Sequence, residues 1–312
     1  MKTLLFGLFL LIGVTGWSET VILRVGHFPN VTHAQGVIAH RNGWFEKRLG
    51  PDVKIQWFVY NAGPSAMEAI FANSIDLTYV GPSPALNAYS KSRGEEVRII
   101  AGAVNGGAAL VVQPDDRIKV PADFRGKKIA TPQLGNTQDV ACRAWLTQHG
   151  FKITQLGGDV TVLPTSNPDQ LNLFKEKQID AVWTVEPWVS RLEREADAKV
   201  FVEQRDTVTT VLVSSVKCLH DRRELVKKFV QAHTELTEWI QKNPMEAQAL
   251  LREELVAETT RPISAELIAQ TWKRMDFTTN VAMPSLNQFV KDAQAAGFMR
   301  GTPDLNRLIE FP

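Results

Sequence analysis

Asn136, Thr137 and Gln138 place neutral hydrogen-bond donors side by side at a point where the backbone also has donors to spare. They lie in the stretch GKKIATPQLGNTQDVACRAW (126–145). It reads as a short strand at 127–131, a Pro/Gly loop, an N-cap at Asn136 with Asp139 three residues on, and a helix carrying Val140, Ala141, Ala144 and Trp145. A helix start leaves its first N–H groups unpaired and carries a partial positive charge, so a small anion can be held there without Lys or Arg. The plainer reading is that Asn136 and Asp139 only cap the helix.

Similar junctions recur. Turn residues end strands at 29–33, 63–65, 81–83, 105–107 and 135–138. Each alone is what any α/β chain needs at a turn. Gathered at the carboxyl ends of strands, they suit a dry site of uncharged dipoles. Catalytic patterns are weaker: there is no GxSxG, HExxH, CxxC or P-loop lysine. His27 and His33 flank one loop and could act as acid and base, but they also read as a strand end and a helix start. Glu186 with Trp188 marks another strand end, where the carboxylate could hold a ligand ammonium, brace a hinge or favour a helix start.

The elements that position these residues follow a βαβα rhythm. Strands are expected at 23–28, 53–60, 75–80 and 97–103, with helices between them, which predicts a mostly parallel sheet. After an apolar run at 108–113 the rhythm restarts, with strands at 127–131, 160–163, 179–185 and 200–202. A run at 209–215 follows. The runs 108–113 and 209–215 are the expected crossings between two lobes. From Asp221 the chain turns helical, with Asp221 and Glu224 as a capping box, a stripe of Leu225, Phe229, Leu236 and Ile240, and helices near 245–256, 264–274 and 285–296.

Composition fits a soluble two-lobed protein: 312 residues, 44% hydrophobic and 22% charged, with a net charge of +1. No basic patch points to nucleic acid or a membrane surface. Residues 1–18 read as a signal peptide, with Lys2, an apolar core at 4–14 and small residues Gly16 and Ser18 before a cut near Ser18/Glu19; a periplasmic location follows. No Cys follows that core to carry a lipid. Cys142 and Cys218, the only two cysteines, are expected free and buried, and neither has metal-ligand spacing.

Six stretches, GHFPNVTHAQ (26–35), FEKRLGPDVKI (45–55), NAGPSAMEAIFANSIDLTYVGPSPA (61–85), FRGKKIATPQLGNTQD (124–139), QIDAVWTVEPW (178–188) and VKKFVQAHTELTEWIQKNP (226–244), resemble in order those of the periplasmic substrate-binding proteins of ABC transporters for nitrate, sulfonate and taurine. The resemblance implies a type II periplasmic-binding-protein fold of class α/β: two lobes with a double-crossing hinge and a helical C-terminal region. It divides the chain into lobe 1 (19–107 and 216–312) and an inserted lobe 2 (108–215). It implies a monomer without cofactor, metal or catalysis, handing a small anion to a permease and, through it, an ATPase. The cleft positions it carries over are Asn30, Thr32, His33, Gly63, Ser65, Gly81, Ser83, Gly135, Asn136, Thr137, Gln138, Glu186 and Trp188. Neutral donors suit a sulfonate or taurine, with Trp188 against its tail; nitrate and bicarbonate binders tend towards charged and His/Lys-containing sites. Nitrate, a thiamine-precursor-like heterocycle, presentation to a sensor, or a lyase or synthase of the same fold are the alternatives. Two isolated cysteines disfavour the iron-dependent synthases, and an export signal disfavours a lyase.

Overall fold

The computed structural model describes residues 20–115, 117–154 and 157–312; the expected signal peptide lies outside them. The first unit runs β1 (Val21–His27), α1 (Ala34–Asn42), α2 (Trp44–Leu49), β2 (Val53–Val59), α3 (Gly63–Phe71), β3 (Leu77–Val80), α4 (Pro82–Lys91) and β4 (Val97–Gly106). The second unit has β5 (Ala108–Val112), β6 (Lys128–Thr131), α5 (Thr137–Gln148), the short pair β7 (Ile153–Thr154) and β8 (Gly157–Gly158), and β9 (Thr161–Pro164). It continues with α6 (Asn167–Lys175), β10 (Ala181–Val185), α7 (Trp188–Ala196) and β11 (Lys199–Gln204). The chain then returns through β12 (Val208–Ser215), α8 (Val216–Asp221), α9 (Arg223–Lys242), α10 (Pro244–Thr259), α11 (Ala265–Trp272), β13 (Met275–Phe277) and α12 (Met283–Ala295).

Two sheets result, a six-stranded one ordered β13-β4-β12-β3-β1-β2 and a five-stranded one ordered β11-β5-β10-β6-β9. β1 is parallel to β2 and β3, and β6 to β9 and β10. The sheets are nonetheless mixed. β12 is antiparallel to β3 and β4, and β5 is antiparallel to β10 and β11. Both follow a passage between sheets. A chain leaving the carboxyl edge of one sheet meets the facing edge of the other, so its first strand there runs against its neighbours.

Neither expected crossing strand straddles the sheets. β5 lies wholly in the five-stranded sheet and β12 wholly in the six-stranded one, so residues 208–215 pack with the first unit rather than the inserted one. The chain passes across at Gly106-Gly107 and at 205–207. Both glycines have φ near +75°, and a Cβ on Gly106 would sit 2.3 Å from the Arg274 carbonyl oxygen.

Strands buried on both faces explain the continuous apolar runs, with every residue of β3, β5, β10 and β12 buried. One face of the first sheet is covered by α1, α2, α9 and α10 and the other by α3, α4 and α12. On α9 the buried set Val226, Phe229, His233, Leu236 and Ile240 follows the helical period, and Phe229 stacks on Phe45 at 4.1 Å. The expected capping box does not form. Asp221 ends α8 and pairs with Lys217, because 216–221 already makes a helical turn before α9 starts at Arg223. β13 directly follows the helix expected at 264–274, was not anticipated, and pairs with β4.

The two units are tied beside the crossing. Arg274 donates to Glu186 at 3.0 Å, to Glu193 at 2.8 Å and to Glu203 at 3.1 Å, all three acceptors belonging to the five-stranded unit. Glu186 is fully buried, and burial holds its carboxyl above the ordinary range against the pull of Ser190 and Arg274. Removing the cation strands that carboxylate. Arg274→Ala is expected to lower stability by about 3 kcal/mol, read as a shift in the urea midpoint, with Arg274→Lys falling in between because it keeps charge but not the three-way fork.

Candidate functional site

The carboxyl ends of both sheets face one gap, and the loops following β1, β2, β3, β6 and β9, with Val185 at the end of β10, close around a cavity of about 30 Å³. The first unit supplies Asn30, Thr32, His33, Asn61, Gly63 and Gly81. The second supplies Asn136, Thr137, Gln138 and Asn167, with Thr209 at the start of β12 beside them. Among the described residues that line it, none is Lys, Arg, Asp or Glu.

Charge complementarity comes from the backbone instead. Four helices begin at this cavity: α3 at Gly63, α4 after its N-cap Gly81, α5 after its N-cap Asn136, and α6 at Asn167. Two come from each unit. Each turns the positive end of its dipole towards the cavity, and α3, α5 and α6 add unpaired N–H groups; α4 opens Pro82-Ser83-Pro84, and its one early N–H, that of Ser83, donates to Thr137 Oγ1. A cavity lined this way favours an anion.

The start of α5 shows how local sequence builds this. Asn136 Oδ1 accepts from the Asp139 amide at 2.8 Å. Asp139 is fully buried and accepts from Thr131 Oγ1 at 2.8 Å, the Gly135 amide at 2.9 Å and Arg143 Nε at 3.0 Å. Its charge is therefore spent on ordering the loop. Asn136 is both cap and cavity wall, so the two readings of this residue coexist.

His33 stacks on Phe28 at 4.2 Å, and its Nδ1 accepts from the Phe28 amide at 3.3 Å. That leaves Nε2 to carry the proton. Burial holds the imidazole well below its ordinary pKa, so it stands as a neutral donor at neutral pH. His27 lies elsewhere, its Nε2 against Glu258 at 2.5 Å, and the two rings do not form an acid/base pair at the cavity.

The cavity adjoins, through the shared Asn30, Asn61, Ala62, Pro132 and Asn167, a wider vestibule of about 510 Å³ whose walls also include Val59, Ser65, Gln133, Pro168, Trp188, Glu258 and Arg261. Ser65 and Trp188 thus sit one step outward from the inner cavity. Ser83 and Gly135 do not line it: the Ser83 amide donates to Thr137 Oγ1 at 3.4 Å, and Gly135 borders a groove near Phe298. Glu186 is turned to Ser190 and Arg274, away from both spaces. Asn61, Asn167 and Thr209 were not anticipated. Asn167 follows β9 in Thr165-Ser166-Asn167-Pro168, whose Asn-Pro pair marks a helix start, and its Oδ1 accepts from Thr184 Oγ1 at 3.1 Å.

The sequence model of the NMT1-like family matches residues 16–253, and the chain belongs to that family. Its fold is the periplasmic binding-protein fold. The alkanesulfonate-binding protein SsuA of Xanthomonas axonopodis pv. citri, solved bound to MOPS, superposes with a TM-score of 0.74 at 20% identity, covering 91% of this chain and 96% of that one. The nitrate-binding protein NrtA of Synechocystis PCC 6803 superposes at 0.72 with 14% identity, covering 90% and 82%. In sequence, a protein of Brucella abortus named as a binding protein is 22% identical over 298 residues, 92% of this chain and 86% of its own. One of Escherichia coli K12 named for aliphatic sulfonates is 27% identical over 196 residues, 62% and 58%. No helix among the described residues is long and apolar enough to cross a membrane.

The units come close at Gly81, where an added Cβ would meet Thr137 Oγ1 at 2.2 Å. Gly81 has φ −68°, so alanine fits its backbone and meets trouble only across the gap. Gly81→Ala is expected to leave unfolding of the free protein within about 0.5 kcal/mol. The same change should weaken anion binding at least about tenfold, or about 1.4 kcal/mol. Calorimetric titration beside thermal melts separates the two effects.

Proposed function

We propose that this chain is an exported solute-binding protein of an ABC importer, taking a small organic anion of the aliphatic sulfonate or taurine type and presenting it to a permease. The observation that carries the proposal is an uncharged cavity at which four helices begin, two from each side of the gap. A sulfonate head spreads one negative charge over three acceptor oxygens. Backbone and amide donors satisfy these without stranding a protein charge when the cavity is empty. The residues meeting the head are Asn30, Thr32, His33, Gly63, Gly81, Asn136, Thr137, Gln138 and Asn167. Ser65 and Trp188 meet what lies beyond it.

The vestibule supports a ligand with a tail over a bare anion. The inner cavity has room for only roughly two water-sized groups, whereas the adjoining space is far larger and carries apolar wall from Val59, Pro168 and Trp188. Names of relatives point both to sulfonates and to nitrate. Capture without chemistry is supported by the lining: its one titratable side chain, His33, is held neutral with Nδ1 already paired. The two units would open and close about the crossings at Gly106-Gly107 and 205–207.

Isothermal titration of the mature protein with methane-, butane- and hexanesulfonate, taurine, nitrate and a thiamine-type pyrimidine tests this. Sulfonates should bind, with affinity rising along the alkyl series by up to about 0.8 kcal/mol per buried methylene. Trp188→Ala should flatten that rise and leave methanesulfonate unchanged. Nitrate binding more tightly than every sulfonate, or no heat from any sulfonate at millimolar concentration, would overturn the proposal.

A further inference from the structure

Outside the cavity, one group of side chains has no part in holding an anion. His27 ends β1, His40 lies on α1, and Glu254 and Glu258 stand one helical turn apart on the same face of α10. Their donor atoms converge. His27 Nε2 is 2.5 Å from Glu258 Oε1, and His40 Nδ1 is 3.2 Å from that oxygen and 3.0 Å from Glu254 Oε1. The ligand atoms of His27, His40 and Glu258 all fall within 4.8 Å of one another. Ligands about 2.0–2.2 Å from a tetrahedral zinc ion stand roughly 3.3 Å apart. Side-chain shifts of about an ångström would therefore turn His27, His40 and Glu258 into three ligands of a coordination shell, with Glu254, 3.0 Å from His40 Nδ1, in reach as the fourth.

Two further features separate the cluster from an ordinary pair of buried ion bridges. Glu258 is 6% exposed, and its second oxygen, Oε2, is buried without a hydrogen-bond partner, so half of a buried carboxylate is unsatisfied. The donor set is also balanced for a divalent ion, because two neutral imidazoles and two carboxylates cancel a charge of +2. Glu258 borders the vestibule, which gives an ion a route in. Trp57 walls the far side, its ring 5.3 Å from His27 and 5.2 Å from His40.

We propose that His27, His40, Glu254 and Glu258 form a binding site for one divalent transition-metal ion of the zinc class, placed beside the vestibule and separate from the anion cavity. Mixed nitrogen and oxygen donors in a four-fold set suit zinc over calcium or magnesium, which take six or more oxygens. The ion would replace the protons now shared between imidazoles and carboxylates and would tie α10 to α1 and the end of β1.

Tag-free mature protein, stripped with chelator and titrated with ZnCl2 at neutral pH, gives the test. One equivalent should bind and alter tryptophan fluorescence through Trp57. His40→Ala and Glu254→Gln should each weaken binding at least tenfold, and the exposed control His149→Ala should leave it unchanged. Alkanesulfonate titrations run alongside keep this outcome separate from that of the anion cavity, since neither variant touches it. No zinc uptake at tens of micromolar, loss of binding in His149→Ala, or full binding in both His40→Ala and Glu254→Gln would overturn the proposal.

Discussion

Helix starts cannot satisfy their own first N–H groups, and four of them meet at one cavity here. That deficit is the constraint on which the rest of the molecule depends. It must be left unfilled enough to take an anion, yet it cannot be buried unpartnered in a closed protein without cost. The structure meets both demands with neutral side chains. Asn136 caps its helix while facing the gap, Thr137 accepts from the Ser83 amide opposite, and Asn167 is held by Thr184. Each donor is oriented before any ligand arrives, which lowers the ordering cost of binding.

Two buried carboxylates near the gap are kept occupied. Asp139 is consumed by Thr131, Gly135 and Arg143, and Glu186 by Ser190 and Arg274. A free carboxylate at either position would oppose an anion in a medium of low dielectric. Arg274 binds three carboxylates of the opposite unit close to the Gly106-Gly107 passage. An ionic tie between the units is thus placed beside the crossing. At the gap itself, contacts such as Ser83–Thr137 and Ser65–Gln133 are single neutral bonds of 3.4–3.5 Å. Such weak contacts are what opening requires.

Much of this was readable from residue order. The strand–loop–helix junction at 127–148 was legible because Asn136 and Asp139 sit at capping spacing ahead of an apolar helix, a purely local signal. Most strands and helices announced themselves the same way. What failed was what depends on distant partners. The direction of β12 follows from which sheet edge the chain enters, and β13 is a strand only because β4 offers it an open edge. Glu186 looked like a cleft residue, but its fate is decided by Arg274, far along the chain. Asn167 was overlooked although Asn-Pro marked a helix start, because the loop before it lacks the glycines that drew attention elsewhere. The His27–His40–Glu254–Glu258 group could not be seen at all. Its donors come from opposite ends of the first unit and have no spacing that sequence can display.

The central claim is that uncharged dipoles at the start of α5, closed against the first unit, grip the anionic head. A crystal structure of the mature protein with butanesulfonate bound tests this most directly. The account predicts sulfonate oxygens about 2.7–3.2 Å from backbone N–H groups of the first turn of α5 and from donors of the first unit, with the alkyl chain running out past Trp188 and no Lys or Arg in contact. A sulfonate held by a cationic side chain, or lodged away from residues 136–138, would contradict it.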